Sequence, residues 1–172
     1  MNVLDDPDLH RRAASAAYLR GNAYSDWILS EIPSDKDYWF VTLTMKQSIE
    51  RDDGTWEPLT REAADQNVGF FEKEVNRKVF GHAYKKHQKR LVVIDAAEGG
   101  LGASQRAHRH MLIEKPERYT DAEWTFLIEK AWSLSRWAYL KTQIERANSR
   151  DAVVKYITKT GGDSICLQNT SL

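Results

Sequence analysis

The chain has 172 residues, 41% of them hydrophobic and 10% aromatic, and its 25 Lys and Arg are balanced by 25 Asp and Glu. This length predicts one compact domain. The single cysteine, Cys166, excludes a disulfide framework and a cysteine-rich zinc site, and it fits a reducing compartment. The sequence contains neither a G-x-x-x-x-G-K-[ST] loop nor an apolar run of membrane-spanning length, so we expect a cytoplasmic protein without an ATPase motor or a membrane partner. The zero net charge counts against binding nucleic acid through bulk electrostatics alone.

Residues 1–37 predict a helical N-terminal extension. Pro7 stands among acidic residues, which is typical of a first helical turn, where carboxylates meet the positive end of the dipole. Good helix formers follow, with an apolar stripe that includes Trp27 and Ile28. A break is predicted near Gly21, and Pro33 predicts the end of the helix.

The rest of the chain alternates strand and helix patterns, marked by apolar spacing, caps and glycine-rich turns. In chain order we predict a strand at Tyr38–Met45, a turn at Asp52–Gly54, a helix from Thr60 to about Gly81, a strand at Leu91–Ala96, a strand at Ala107–Glu114, a helix that begins with a capping box at Thr120 and runs through Leu134, a strand at Tyr139–Ile144 and a helix from Ser149 to about Thr160.

This order predicts the α+β class, with a central antiparallel sheet of four to five strands in a split β-α-β arrangement and with helices on one face. The domain should span residues 38–162, followed by a C-terminal tail at 163–172, with no helicase domain. We expect the opposite face of the sheet to be open and to hold a site.

The central strand pair carries a candidate metal site. His108 and His110 are two apart on a predicted strand and therefore point to the same face. Glu98 ends the preceding strand, and antiparallel pairing can bring its carboxylate beside both imidazoles. Two histidines and one carboxylate leave coordination positions open and suit Mg²⁺ or Mn²⁺. Ordinary strand histidines and a solvated hairpin carboxylate are the alternative.

Tyr156 and Lys159 lie three apart on the last predicted helix and share one of its faces. A phenol is a poor nucleophile at neutral pH, since its free pKa is about 10. It becomes competent when a metal polarises its phosphate target and a cation meets the developing charge, which Lys159 could do. Alternatively, Tyr156 anchors the helix to the sheet beside a solvated lysine.

The combination of these motifs resembles the HUH endonucleases. The strand Phe40–Thr44, a glutamate followed ten residues later by H-x-H, and a terminal helix with Y-x-x-K stand in the order of that family. The resemblance is closest to the single-tyrosine replication initiators (Rep proteins) of rolling-circle plasmids, phages and single-stranded DNA viruses, and it covers about Tyr38 to Gly162. Thr160 stands where the two-tyrosine type has a second tyrosine.

The resemblance implies a role for each matching residue. Glu98, His108 and His110 fall on the metal ligands, Tyr156 on the nucleophile and Lys159 on the helper lysine. The implied reaction is metal-dependent nicking of single-stranded or hairpin origin DNA, which leaves a 5′-phosphotyrosine and a free 3′-hydroxyl. It needs no ATP, and it implies a helicase and a polymerase supplied in trans, in the cytoplasm of a bacterium that hosts a plasmid or phage.

Five residues are predicted to contact DNA. The resemblance makes Thr42 and Thr44 part of the family's first motif, which lies beside the bound DNA. Arg106, Arg109 and Lys155 lie near the implied metal and nucleophile. Arg109 departs from the family, which has a hydrophobic residue between the histidines, so it must reach solvent, pair with a carboxylate or touch nucleic acid.

A basic stretch and three alternative functions remain open at this level. Residues 73–90 concentrate lysine and arginine and could follow a phosphate backbone, while the N-terminal extension is acidic. A related HUH transposase would use the same site. An RNA-recognition-like binding module would share the sheet but should carry aromatic residues where His108 and His110 stand, and a metal-dependent hydrolase would survive loss of Tyr156.

Overall fold

The computed structural model describes residues 7–99, 106–159 and 164–172. Its elements are α1 (Pro7–Glu31), β1 (Asp37–Met45), β2 (Ser48–Glu50), β3 (Trp56–Pro58), α2 (Arg61–Phe80), α3 (His82–Lys85), β4 (Val93–Glu98), β5 (His108–Lys115), α4 (Asp121–Ser133), β6 (Ala138–Arg146) and α5 (Arg150–Ile157), followed by a single 3₁₀ turn (Leu167–Asn169). No helix in these ranges combines the length and apolar character needed to cross a membrane.

The four long strands form an antiparallel sheet in the order β4-β5-β1-β6. With α2 between β1 and β4, and α4 between β5 and β6, this is the predicted α+β fold with a split β-α-β arrangement. The short strands β2 and β3, which pair around the predicted turn at Gly54, were not predicted.

One face of the sheet carries the larger core. Alternate residues of β1, among them Val41 and Leu43, are buried with apolar residues of α2 and α4. Trp124 and Trp132 of α4 and Phe71 of α2 are among the largest fully buried side chains. The two crossover helices therefore lie together on one face, as predicted.

The opposite face is partly covered, so the expectation that it is open needs correction. Ile28 and Ile32, from α1 and the residue after it, share a second core cluster with Val154 and Ile157 of α5 and with residues of β4 and β5 such as Leu112. The N-terminal helix thus contributes to the core of the sheet domain. Among the described residues, Tyr156 of α5 remains 42% exposed on this face, so the face is accessible there.

The predicted break near Gly21 is wrong, because α1 continues to Glu31. Gly21 is buried, and its carbonyl oxygen accepts a hydrogen bond from Ser25 Oγ, which lies 2.5 Å from Thr158 Oγ1 at the end of α5. Packing against α5 therefore holds the helix through a residue of low helix propensity. The predicted apolar stripe is only partly correct, since Ile28 is buried whereas Trp27 is 41% exposed.

The segment predicted as a C-terminal tail pairs with the outer edge of β4. Ser171 exchanges two backbone hydrogen bonds with Val93, and Ala97 N–H donates to the Ser164 carbonyl oxygen at 2.7 Å. Ile165 forms an isolated bridge with Ala96. These bonds occupy the edge of the strand that ends in Glu98.

Candidate functional site

Glu98, His108 and His110 form a possible metal-binding triad at one end of the sheet. Glu98 lies opposite His108 in the β4-β5 register, and His110 projects from the same face. Glu98 Oε2 lies 3.0 Å from His110 Nε2 and 4.0 Å from His108 Nε2, and the two imidazole nitrogens lie 3.2 Å apart. The prediction that strand pairing brings the three side chains together is confirmed, because their ligand atoms all lie within 4.8 Å of one another.

The other ring nitrogens are oriented by neighbouring groups. His108 Nδ1 lies 2.8 Å from the Arg106 carbonyl oxygen, which can only accept, so Nδ1 carries the proton and Nε2 keeps its lone pair in the neutral ring. His110 Nδ1 lies 3.1 Å from Thr42 Oγ1, which can accept a hydrogen bond from it; in that tautomer Nε2 keeps its lone pair as well. Partners that fix the outer nitrogen are characteristic of metal-bound histidines.

Burial of the His110 imidazole, together with the nearby His108 ring, lowers the pKa of His110 to about 4. His110 is therefore neutral at physiological pH, as a ligand must be. Two imidazole nitrogens and one carboxylate oxygen are a donor set that fits a divalent cation.

Lys159 neutralises the carboxylate of the triad. Its Nζ lies 3.1 Å from Glu98 Oε1 and 3.2 Å from Oε2. Burial acts to raise the pKa of Glu98, but the hydrogen bond and charge of Lys159 outweigh it and lower that pKa. Burial likewise acts to lower the pKa of Lys159, but hydrogen bonds to Glu98 and Tyr156 raise it overall. Both groups are therefore charged at neutral pH.

Tyr156 projects from α5 toward the triad. Its hydroxyl oxygen lies 3.5 Å from His110 Nε2, its ring meets the His110 ring edge-on at 5.2 Å, and Lys159 Nζ lies 4.0 Å from its ring centre. The side chain is still 42% exposed, so a substrate can reach it. The helix α5 ends at Ile157, earlier than the predicted end near Thr160, so Lys159 lies two residues beyond its last helical residue.

Phe40 is a residue of this site to which the sequence analysis assigned no role. Its ring stacks on His110 at 5.3 Å with an interplanar angle of 18°, and it meets the Tyr156 ring edge-on at 5.9 Å. The signal was available, since Phe40 alternates with Thr42 along β1 and so shares its face. The Phe40 ring therefore packs against both the His110 imidazole and the Tyr156 phenol.

The residues predicted to contact DNA take different places. Thr42 touches His110, and Thr44 pairs with His108 in the β1-β5 register, so both lie under the triad. Arg106 precedes β5 and Lys155 lies on α5, and both residues are exposed.

The prediction that Arg109 contacts DNA is wrong. Arg109 points to the opposite face of the sheet and is only 2% exposed. Its guanidinium donates to Asp95 Oδ2 at 3.0 Å and also to Asp65 of α2, while Asn169 Nδ2 donates to Asp95 from the C-terminal segment. Burial raises the pKa of Asp95 to about 6, and the charge of Arg109 limits that rise, so the pair is ionised at neutral pH.

The basic stretch at residues 73–90 begins within α2 and continues through α3. Because α2 packs on the face opposite to the triad, this stretch does not lead into the site. Lys159, whose ammonium group binds Glu98, supplies positive charge next to the triad.

Comparisons of the chain with protein-family models, with curated proteins and with solved structures find no match. The site is therefore described by its geometry alone: a possible metal-binding triad with the Tyr156 phenol and the Lys159 ammonium group beside it.

Proposed function

We propose that the protein nicks and rejoins single-stranded DNA by transesterification. Tyr156 is the nucleophile, and Glu98, His108 and His110 hold a divalent cation. The observation that supports this most directly is the position of the Tyr156 hydroxyl, 3.5 Å from His110 Nε2 and therefore at the edge of the triad. An anchoring tyrosine would turn its hydroxyl to a structural partner, whereas this side chain is substantially exposed beside metal-ligand atoms.

Mg²⁺ or Mn²⁺ is the proposed ion, because the triad supplies one hard oxygen and two imidazole nitrogens and leaves room for phosphate oxygens. When bound, the ion would supply Lewis-acid polarisation of the scissile phosphate.

The proposed step conserves the number of phosphoester bonds. The Tyr156 oxygen forms a bond to phosphorus while the bond from phosphorus to the 3′ oxygen breaks, and the phenolic proton ends on the departing 3′ oxygen. The products are a 5′-phosphotyrosine and a free 3′-hydroxyl. Attack by another 3′-hydroxyl reverses the step and reseals a strand, so neither water nor ATP is consumed.

Lys159 stands where charge develops during this step. Its ammonium group binds Glu98 and lies against the Tyr156 ring, so a phenolate forming at Tyr156 has a cation beside it. In the same position it can hold a phosphate oxygen of the substrate, once a metal ion takes over the Glu98 carboxylate.

The biological setting that we propose is initiation of rolling-circle replication at an origin, by analogy with the Rep proteins that the motifs resemble. The substrate is single-stranded or extruded as a hairpin, since a phosphate within a duplex is hard to align beside Tyr156. The helicase and polymerase come from other proteins of the host or replicon.

The test is covalent capture of DNA. Purified protein is incubated with Mn²⁺ and a labelled pool of single-stranded and hairpin oligonucleotides, and adducts are separated on a denaturing gel. We expect a labelled protein band with the wild type and none with Tyr156→Phe or His110→Ala, because the first lacks the nucleophile and the second lacks a ligand.

Tyr84→Phe is the matched control, since it removes a hydroxyl from a tyrosine on α3 that stacks with Arg90. It should form the adduct at the wild-type rate. Cleavage that persists in Tyr156→Phe would contradict the covalent step and favour a metal-dependent hydrolase. Binding without any cleavage of the pool would favour a nucleic-acid-binding module.

A further inference from the structure

A cation-aromatic pair joins Arg106, two residues before His108, to Tyr139 on the edge strand β6, across β1 from β5. The Arg106 guanidinium lies over the Tyr139 ring, 4.9 Å from its centre. Tyr139 belongs to the edge strand β6 and is 38% exposed. The sequence analysis predicted a DNA contact for Arg106 and gave no role to Tyr139.

The backbone fixes this pair relative to the metal-ligand residues. The Arg106 carbonyl oxygen accepts the Nδ1 hydrogen of His108, and the next carbonyl, of Ala107, accepts from the backbone N–H of Met45. On the other side, Trp132 Nε1 of α4 donates to the Tyr139 carbonyl oxygen at 3.3 Å. The backbone segments that carry Arg106 and Tyr139 are therefore both held by hydrogen bonds to neighbouring elements, and Arg106 is linked directly to His108 of the triad.

The surroundings of Tyr139 are apolar and basic. Leu140 is 96% exposed, and Lys46 and Lys141 are exposed nearby on the chain segments that meet at this edge. This combination suits a ligand that is flat and apolar on one side and anionic on the other.

Resting on the proposed function, we propose that Arg106 and Tyr139 form a stacking platform for an unpaired nucleobase of the DNA strand whose phosphate lies at the triad. Every base has a π-face, and aromatic rings bind bases with little regard to sequence. The arginine adds a cation-π contact to the ring and a positive charge for the neighbouring phosphate.

Binding is measured without chemistry, in Tyr156→Phe protein with EDTA. The probe is a short fluorescein-labelled single-stranded oligonucleotide of mixed sequence, and the readout is fluorescence anisotropy. In this background Tyr139→Ala should weaken binding about 5- to 150-fold, the usual effect of removing one stacking side chain. Tyr139→Phe should bind within about twofold of the parent, because stacking needs the ring and not the hydroxyl.

Tyr84→Ala is the matched control, since Tyr84 and Arg90 form a similar pair, at 5.7 Å, on α3 and the loop after it. Its affinity should not change. Thermal melts that agree for Tyr139→Ala and Tyr139→Phe would exclude misfolding as the cause of a difference. An oligonucleotide with 2-aminopurine at successive positions should lose fluorescence at one position with Tyr139 present and keep it with Tyr139→Ala.

The outcomes separate this inference from the proposed function. Unchanged affinity in Tyr139→Ala would overturn the platform, even if wild-type protein forms the covalent adduct. A selective loss of affinity would support the platform, even if no oligonucleotide is cleaved and the nicking proposal fails. Failure to bind any single strand would overturn both.

Discussion

The two faces of the β4-β5 pair carry the same kinds of side chain in different surroundings. On the face under α2, Asp95 and Arg109 form a buried ion pair that also binds Asp65. On the other face, Glu98 and Lys159 form an ion pair that is open to solvent and shared with histidines.

The difference shows that the face of the strand, and not the residue type, decides whether a charged side chain in this sheet is buried or open to solvent. Arg109 lies between His108 and His110 in sequence, but the alternation of the strand sends it into the core. A buried charge pair must be satisfied within the protein, while a half-exposed carboxylate can exchange its partner for an ion. The two pairs should therefore respond to mutation in opposite ways.

Arg109→Ala should have the largest effect on stability. It leaves the fully buried Asp95 carboxylate without its cation, and breaking a buried pair in this way costs about 3–5 kcal/mol. Urea denaturation of the protein without metal measures the change. Arg106→Ala, which removes an exposed arginine three residues earlier, should change the free energy of unfolding by only about 0.5 kcal/mol. Similar values for the two variants would contradict the assignment of Arg109 to the core.

Mn²⁺ should stabilise the wild-type protein through the triad alone. At a free concentration 100 times the dissociation constant, the gain in unfolding free energy should be about 2.7 kcal/mol. His110→Ala and Glu98→Ala should lose most of this gain, and thermal melts with and without Mn²⁺ measure it. Asp65→Asn, on the face covered by α2, should keep the gain even if the protein is less stable overall. Equal stabilisation of all four proteins would place the ion elsewhere.

The face covered by α2 should also govern how stability depends on pH, through Glu72 of α2. Burial and the charge of Asp95 raise the pKa of Glu72 to about 9, and one of its carboxyl oxygens is buried with no hydrogen-bond partner among the described residues. The folded state therefore keeps a proton that the unfolded chain releases above a pKa of about 4.3. Stability contributed by this group falls as pH rises from about 5 to 9, by at most about 1.4 kcal/mol per pH unit.

Glu72→Gln should remove this slope, because glutamine is neutral at every pH in the range. Urea denaturation of both proteins at a series of pH values gives the comparison. A parallel pH dependence in the two proteins would mean that Glu72 is ionised in the folded state.

The smallest effect is expected from the exposed pair. Lys159→Met removes the ammonium group that occupies both oxygens of Glu98, so a cation no longer competes with it. Exposed ion pairs contribute only about 0–1 kcal/mol, so Mn²⁺ should bind up to about fivefold more tightly, as measured by calorimetry. Lys155→Met, a neighbouring exposed lysine on α5, is the control and should leave the affinity unchanged. Weaker binding in Lys159→Met would show that Lys159 supports the metal site.

Local patterns in the sequence predicted the parts of this molecule that depend on periodicity. The spacing of Glu98, His108 and His110 was enough to place three side chains on one face of a strand pair, and the capping box at Thr120 and Glu123 is present as predicted. Strand alternation and helix caps are set by neighbours in the chain, which a sequence displays directly.

The features that the sequence did not reveal depend on contacts between distant segments. The helix α1 continues through Gly21 because it packs on α5. Arg109 is buried because carboxylates of β4 and α2 bind its guanidinium. In both cases the partners are distant in the sequence, so local patterns do not predict the contact. The same holds for the C-terminal segment, whose pairing with β4 carries no signal of its own.

That pairing also determines where the sheet could grow. Backbone groups of residues 164–171 already bind the outer edge of β4, so within the described part of the chain the four-stranded sheet presents β6 as its free edge. A free edge is a template for β-strand addition by another polypeptide. Because Tyr139 lies on β6, a protein strand added there and a nucleobase stacked on Tyr139 would compete for one edge.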